Sequence, residues 1–242
     1  DTFNTAVGFQ AGNAVTTGVR QTLIGGLAGD ALTTGDNNTA VGYNSLSAMT
    51  VGDRNVAVGV GTLAAANVTS NADTYNTAVG FDAGNDITTG TSNTLIGGLT
   101  GDAITTASNN TAVGYASLGT NTTGAGNVAV GRESLFNNTT ASNNTAVGLN
   151  SLYTNTTGIN NVAVGKDALI ASTTANNNTA VGYDCLQANT TGASNASVGK
   201  SALEANTTGS ANAAFGADAL GSNTTASNNT AVGTNSLNAN TT

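Results

Sequence analysis

Apolar and polar positions along this chain recur with a period longer than a helical turn or a pleat. A short β-prone tract, Asn-Thr-Ala-Val-Gly or a close variant, begins at Asn4, Gln21, Asn38, Asn55, Asn76, Asn93, Asn110, Asn127, Asn144, Asn161, Asn178, Asn195, Asn212 and Asn229. The stretches between are rich in Asn, Thr, Ser and Gly. Successive starts lie 17 residues apart, except that a spacing of 21 between Asn55 and Asn76 marks a four-residue insertion within residues 67–75. A longer echo lies on top: Asp1-Thr2-Phe3-Asn4-Thr5-Ala6-Val7-Gly8 returns as Asp73-Thr74-Tyr75-Asn76-Thr77-Ala78-Val79-Gly80, so block duplication built the first half. No linker or change of texture interrupts the fourteen copies, and residues 1–242 read as one repeat domain.

Counting from the tract's Asn as position one, the copy Asn144 to Asn160 shows the pattern. Position five is Gly in every copy, as expected at a corner with positive φ or close packing. Position four is Val, Ile or Phe throughout (Val147 here), which predicts a side chain pointing into a core. Position three, on the opposite strand face, is Ala apart from Leu23, Leu95 and Ser197, so both faces are expected to be covered. Position nine is Leu in ten copies and Gly at Gly12, Gly29, Gly84 and Gly101. Those four copies carry Val15, Leu32, Ile87 or Ile104 three positions later, so each coil keeps one hydrophobic knob by moving it. That compensation argues for a packed interior rather than a disordered tract.

Short strands and Gly corners at this period predict an all-β fold, a parallel β-solenoid or β-roll of fourteen coils stacked about 4.8 Å apart. Such a rod would be roughly 65 Å long. Stacking places the recurrent Asn in amide ladders and pairs such as Thr156-Thr157 in hydroxyl ladders. The absence of Pro fits strands that donate to both neighbours. The sequence leaves open whether one turn takes 17 or 34 residues. About two large aliphatics per coil set against the ordering of every residue in it leave a lone chain thinly supported. The Ala row offers a surface on which identical rods could approach, and a homo-oligomer is expected.

Composition removes much conventional chemistry. With no His and one Cys in 242 residues, there is no Ser-His-Asp or Cys-His system, no intrachain disulfide and no ordinary His-containing zinc site. Acidic residues are scattered singly, with no recurrent pair for acid/base work. No catalytic residue, cofactor or metal is expected, and the chain reads as no enzyme. A net charge of −8 opposes nucleic acid and anionic membrane surfaces, and no apolar run is long enough to span a bilayer. No signal peptide is visible. The opening Asp1-Thr2-Phe3 in place of Met is expected of a processed or excised part of something longer.

The unit Asn-Thr-Ala-Val-Gly, a small residue, Leu and Asn-Thr-Thr-Gly resembles the repeats of phage tail-fibre shafts and of bacterial surface-fibre proteins that end in an endosialidase-type chaperone domain. It is similar, more loosely, to the shorter Asn-Ser-Val-Ala-Ile-Gly repeats of trimeric autotransporter adhesin heads, which form left-handed parallel β-rolls. The likeness covers essentially the whole chain. It implies a left-handed, trimeric, extracellular or virion-borne fibre used for attachment to a host or surface. The departures are the 17-residue period, longer than the adhesin-like 14 or so, and the lack of a membrane anchor or chaperone domain in this chain.

Sharper candidates are few. Position six holds Phe9, Tyr43, Phe81, Tyr115 and Tyr183 in odd copies and Val60, Arg132, Lys166 and Lys200 in even ones. With a 17-residue coil, Tyr43, Tyr115, Arg132, Lys166, Tyr183 and Lys200 would share one row, a candidate strip for a glycan or protein receptor. A solvent-facing row that keeps Tyr for β propensity is the plainer reading. Gly25-Gly26-Leu27-Ala28-Gly29-Asp30 and Gly97-Gly98-Leu99-Thr100-Gly101-Asp102 faintly resemble a calcium-binding repeat, but corner glycines explain them better. Cys185 stands where other copies have Ala, Ser or Thr and reads as a buried small side chain. Asn121-Thr122-Thr123 fits a glycosylation acceptor, although ladder formation already accounts for such triplets.

A mechanical and adhesive role is therefore expected. Its rivals are a filament subunit that stacks end to end, and an ice-binding solenoid suggested by the Thr rows. The latter is disfavoured because adjacent Thr residues would give one outward row instead of a flat two-row array.

Overall fold

A computed structural model of the chain describes residues 2–70 and 72–241. Asp1 of the opening echo, Asn71 of the insertion and Thr242 of the last Thr pair lie outside them. The described residues contain strands and turns and no helix, and they form two compact units, 1–123 and 124–242.

The first unit holds β1 (Thr5–Val7), β2 (Thr22–Ile24), β3 (Thr39–Val41), β4 (Gly52–Asp53), β5 (Val56–Val58), β6 (Ala72–Asp73), β7 (Thr77–Val79), β8 (Thr94–Ile96) and β9 (Thr111–Val113). The second holds β10 (Val128–Val130), β11 (Thr145–Val147), β12 (Val162–Val164), β13 (Thr179–Val181), β14 (Ala196–Val198), β15 (Ala213–Phe215) and β16 (Thr230–Val232). Within each unit the tract of one repeat pairs in parallel with the tract of the next. Val130 lies beside Val147, and Val147 beside Val164. One turn is therefore 17 residues, and each unit is a parallel β-solenoid.

The strands are three residues long because each is stopped by the position-five Gly, whose φ lies between 121° and 143° in all fourteen copies. Only Gly adopts that backbone without strain. It also touches the next coil: a Cβ on Gly148 would sit 2.5 Å from the carbonyl oxygen of Gly165. Steric fit and backbone thus demand the same residue.

The strand is turned the other way from the sequence expectation. Position three is the buried one: Ala40, Ala57, Ala146 and Ala163 are inaccessible to solvent. Position four points outward, with Val7 58%, Ile24 39% and Phe215 43% exposed. The reason is the narrowness of the coil. Position nine faces position three across the interior, and a Cβ on Gly12 would lie 3.8 Å from that of Ala6. Such a gap admits Ala opposite Leu; a Val opposite Leu would overpack it. The Ala row is therefore internal and unavailable as a contact between rods.

The same geometry explains the exceptions. A Cβ on Gly12 or Gly29 would meet the Leu23 side chain at 2.7 and 2.8 Å, and one on Gly84 or Gly101 would meet Leu95 at 2.8 and 2.9 Å. Leu at position three thus fills the volume that Gly at position nine vacates in its own coil and in the one before. Leu32, Ile87 and Ile104 complete that filling as fully buried side chains, as the displaced-knob pattern predicts. The ten position-nine Leu residues all lie in the left-handed region, with φ of 48° to 55°. That conformation costs roughly 1–2 kcal/mol per residue. Complete burial of Leu contributes about 1.5–3 kcal/mol, enough to hold it there.

Buried amides form the expected ladders. The position-one backbone N–H donates to the side-chain oxygen of the Asn one coil earlier, as Asn161 does to Asn144 at 2.9 Å and Asn178 to Asn161 at 2.9 Å. The amide nitrogen closes the coil by donating to the position-fifteen carbonyl, as Asn144 does to Gly158 at 2.9 Å. Gln21 continues the row, accepting from Asn38 and donating to Gly35. The second unit has a further row at position twelve, where Asn155 donates to Asn138 at 2.9 Å and Asn206 to Asn189 at 2.8 Å. The first of each Thr pair donates its hydroxyl to the next coil's carbonyl, as Thr156 does to Thr173 at 3.0 Å. The inserted segment is accommodated at a corner, where β6 pairs with β4 and buried Thr74 donates to Asn55 at 2.8 Å.

The position-twelve row has one fault. Ser172 stands between Asn155 and Asn189, and its hydroxyl and the Asn155 side-chain oxygen are both buried without a partner. Ser172→Asn restores the missing rung, and chemical denaturation should show stability raised by about 1 kcal/mol. In the opposite direction, Gly148→Ala introduces both strain and overlap, and the same measurement should show a loss of about 3 kcal/mol or more.

Candidate binding surface

With the phase of the strand fixed, the outward rows can be followed from the backbone up. Positions two and four of each strand project to one side, Thr or Val beside Val or Ile. Position six follows the Gly corner. Phe9, Tyr43 and Phe81 stand 75%, 58% and 58% exposed, and Gly26 lies beside the Tyr43 ring in the next coil.

In the first unit Tyr43 is separated from Phe81 by Val60, and Tyr115 lies in the seventh copy. No basic side chain interleaves with them along positions 9 to 115 of this row. In the second unit the interleaving is realised. Lys166 Nζ lies 5.2 Å from the centre of the Tyr183 ring, in cation–π range, and exposed Lys200 occupies the coil on the other side of Tyr183. The six candidates are thus not one cluster: Lys166, Tyr183 and Lys200 occupy successive coils, Arg132 lies two coils before Lys166, and Tyr43 and Tyr115 belong to the first unit.

Position seven sets the electrostatics of this row. Arg132 donates to Glu133 at 2.9 Å, and Lys166 pairs with Asp167 at 3.0 Å. The hydrogen bond and charge of Asp167 hold the Lys166 ammonium above its usual range. Hydrogen bonding to Asp184, with its charge, pushes the Tyr183 phenol up in the same way. Both remain protonated at neutral pH, so the row offers an aromatic face between two cations over a floor of carboxylates. That set of groups can stack on a sugar ring or receive an acidic side chain.

Other candidates resolve into structure. Cys185 is fully buried and lies 3.0 Å from the hydroxyl of Ser197, so the lone Cys and the lone Ser at position three are one contact. Burial raises its thiol to about 11, leaving it un-ionised at neutral pH. Among the described residues no group of three or more His, Cys, Asp or Glu could hold a metal ion, and no pocket opens. No family model, curated protein or solved structure matches this chain.

Two features were not anticipated. Phe136 and Tyr153, at position ten of successive coils, stack with ring centres 5.5 Å apart. At the insertion, Arg54 pairs with Asp73, lies 5.6 Å from the Tyr75 ring centre, and Tyr75 donates to Asp73 at 3.0 Å. Adjacent aromatic residues at 17-residue spacing carried the first signal; the second needed the path of the inserted segment.

The Gly-Gly-Leu-Thr-Gly-Asp segment yields a pH test. Burial, aided by the charges of Asp86 and Asp82, raises the Asp102 carboxyl above its ordinary 3.8. The native state therefore binds this proton more tightly than the unfolded chain does. Its contribution to stability is full below pH 3.8 and is lost as pH rises through the raised native value. Asp102→Asn should accordingly raise the melting temperature at pH 7, and the gain should vanish in scans below pH 3.8.

Proposed function

We propose that this chain is a structural and adhesive element, the shaft or head of an extracellular or virion-borne fibre, working by contact and without catalysis. The observation that carries the reading is that outward side chains repeat in the same register as inward ones. Positions two, four and six present the same residue classes coil after coil. A repeated surface suits many weak, equivalent contacts, in which avidity replaces a single deep site. The resemblance of the repeat to tail-fibre and adhesin sequences supports the same reading and adds the expectation of a homotrimer.

Within this proposal the receptor-facing row is position six. Lys166, Tyr183 and Lys200 form its strongest segment, because an aromatic ring flanked by cations suits a glycan or acidic protein surface. Tyr43, Tyr115 and Arg132 are the further members. An end-to-end filament and an ice-binding solenoid remain the competing functions.

Electron microscopy with light scattering separates these. Rods of fixed length and defined mass are expected, whereas open-ended growth would favour the filament. On a glycan array, the Lys166→Ala, Tyr183→Ala and Lys200→Ala triple variant should lose at least about tenfold in retention with an unchanged melting curve. Equal retention by the variant would remove the receptor row.

A further inference from the structure

The inversion of the strand leaves an aliphatic row outside that the interior does not use. In the first unit it runs from Val7 through Ile24 and Val41 to Ile96 and Val113, flanked by the Thr or Val of position two. Neither row carries an ionisable residue between Thr5 and Val113, in a chain of net charge −8. Ile24 and Ile96 are 39% and 41% exposed. The exposed Thr row at position fourteen, by contrast, presents hydroxyls to water and has no reason to be covered.

We infer that this outward Thr/Val and Val/Ile face seats a second copy of the same chain, and that it is the contact surface of the proposed homo-oligomer. Three arguments select that occupant. The first is commensurability: the face is a grating of β-branched side chains, repeating about every 4.8 Å along the stack and about 6.7 Å across it. An ordinary globular surface has no such period over seven coils. A second copy carries the same grating and can set its ridges into these grooves at every coil. The second is charge. Like net charges repel two copies everywhere except where the rows are neutral, and these rows are.

The third is area. Seven strands about 4.8 Å apart, with a width of about 13 Å from position two to position six, outline roughly 400 Å² in one unit. Alone that suits a weak contact. The second unit repeats the rows from Val128 to Val232, so two such strips bring a chain to about 800 Å², the usual share per partner in a stable interface. Sheet faces covered in this way pack about 10 Å apart.

The inference rests on the homo-oligomer reading, and the test separates the two. The mass of the full 242-residue chain is measured by light scattering over a concentration series. Val41→Lys with Val79→Lys should weaken association at least about tenfold, since each buries a charge against its own copy. Val41→Ile with Val79→Ile, and Thr157→Lys on the hydroxyl row, should leave it intact. Val79→Cys should give interchain disulfides on oxidation and Thr157→Cys should not, which answers the question even where the Lys variant fails to fold. Multimers that ignore both Lys substitutions, or that cross-link equally at Thr157, would overturn this face while preserving the homo-oligomer. A wild-type monomer at about 100 µM would overturn both, and thermal hysteresis by that monomer would hand the grating to ice.

Discussion

The position-one Asn carries an acceptor and two donor hydrogens into an interior without room for water. Unmet, each such group costs about 1–3 kcal/mol. The partner that meets the acceptor is the backbone N–H of the Asn one coil away, and the amide nitrogen meets the carbonyl that closes its own coil. Register is fixed by this requirement. A coil slipped by one residue would place Thr where the amide belongs and leave three buried groups unmet. Parallel stacking, the 17-residue turn and the alignment of every other row follow from it, and outward rows inherit an order that they do not themselves create.

A second constraint is the narrowness of the coil. The interior between positions three and nine holds Ala with Leu or Leu with Gly, and Leu tolerates left-handed backbone to remain there. Aliphatic side chains at position four are left outside because no volume exists for them. The surface chemistry is therefore a by-product of the core, and the neutral grating on the sheet face and the aromatic row past the Gly corner both descend from it.

Much of this was legible in the sequence. The period, the coil size implied by it, the amide and hydroxyl ladders, the Gly corner and the displaced knob all follow from repeated residues at fixed spacing. The phase of the three-residue strand did not, since hydrophobicity alone favours Val over Ala inside and a three-residue strand has too few alternations to correct that preference. The correcting signal was present: Leu23 and Leu95, the large residues at position three, occur in coils whose position nine is Gly. Only residues that share a volume compensate in size. Phe215 at position four has no such compensation, as suits a side chain facing out. The Lys166–Tyr183 contact was foreseeable from spacing once the turn was known, whereas the clasp of Arg54, Asp73 and Tyr75 depends on an inserted segment that no repeat predicts.

The sharing of Leu23 between Gly12 and Gly29, and of Leu95 between Gly84 and Gly101, has an evolutionary corollary. Recombination between misaligned copies can add or delete most coils singly, because each brings its own Leu and its own rungs. The coils beginning at Asn4 and Gln21, and those at Asn76 and Asn93, are indivisible pairs. Losing the first of a pair would drive the shared Leu against a neighbour's Leu, and losing the second would leave a void. Length can drift gene by gene in steps of one coil over most of the array, and in steps of two where those cassettes lie.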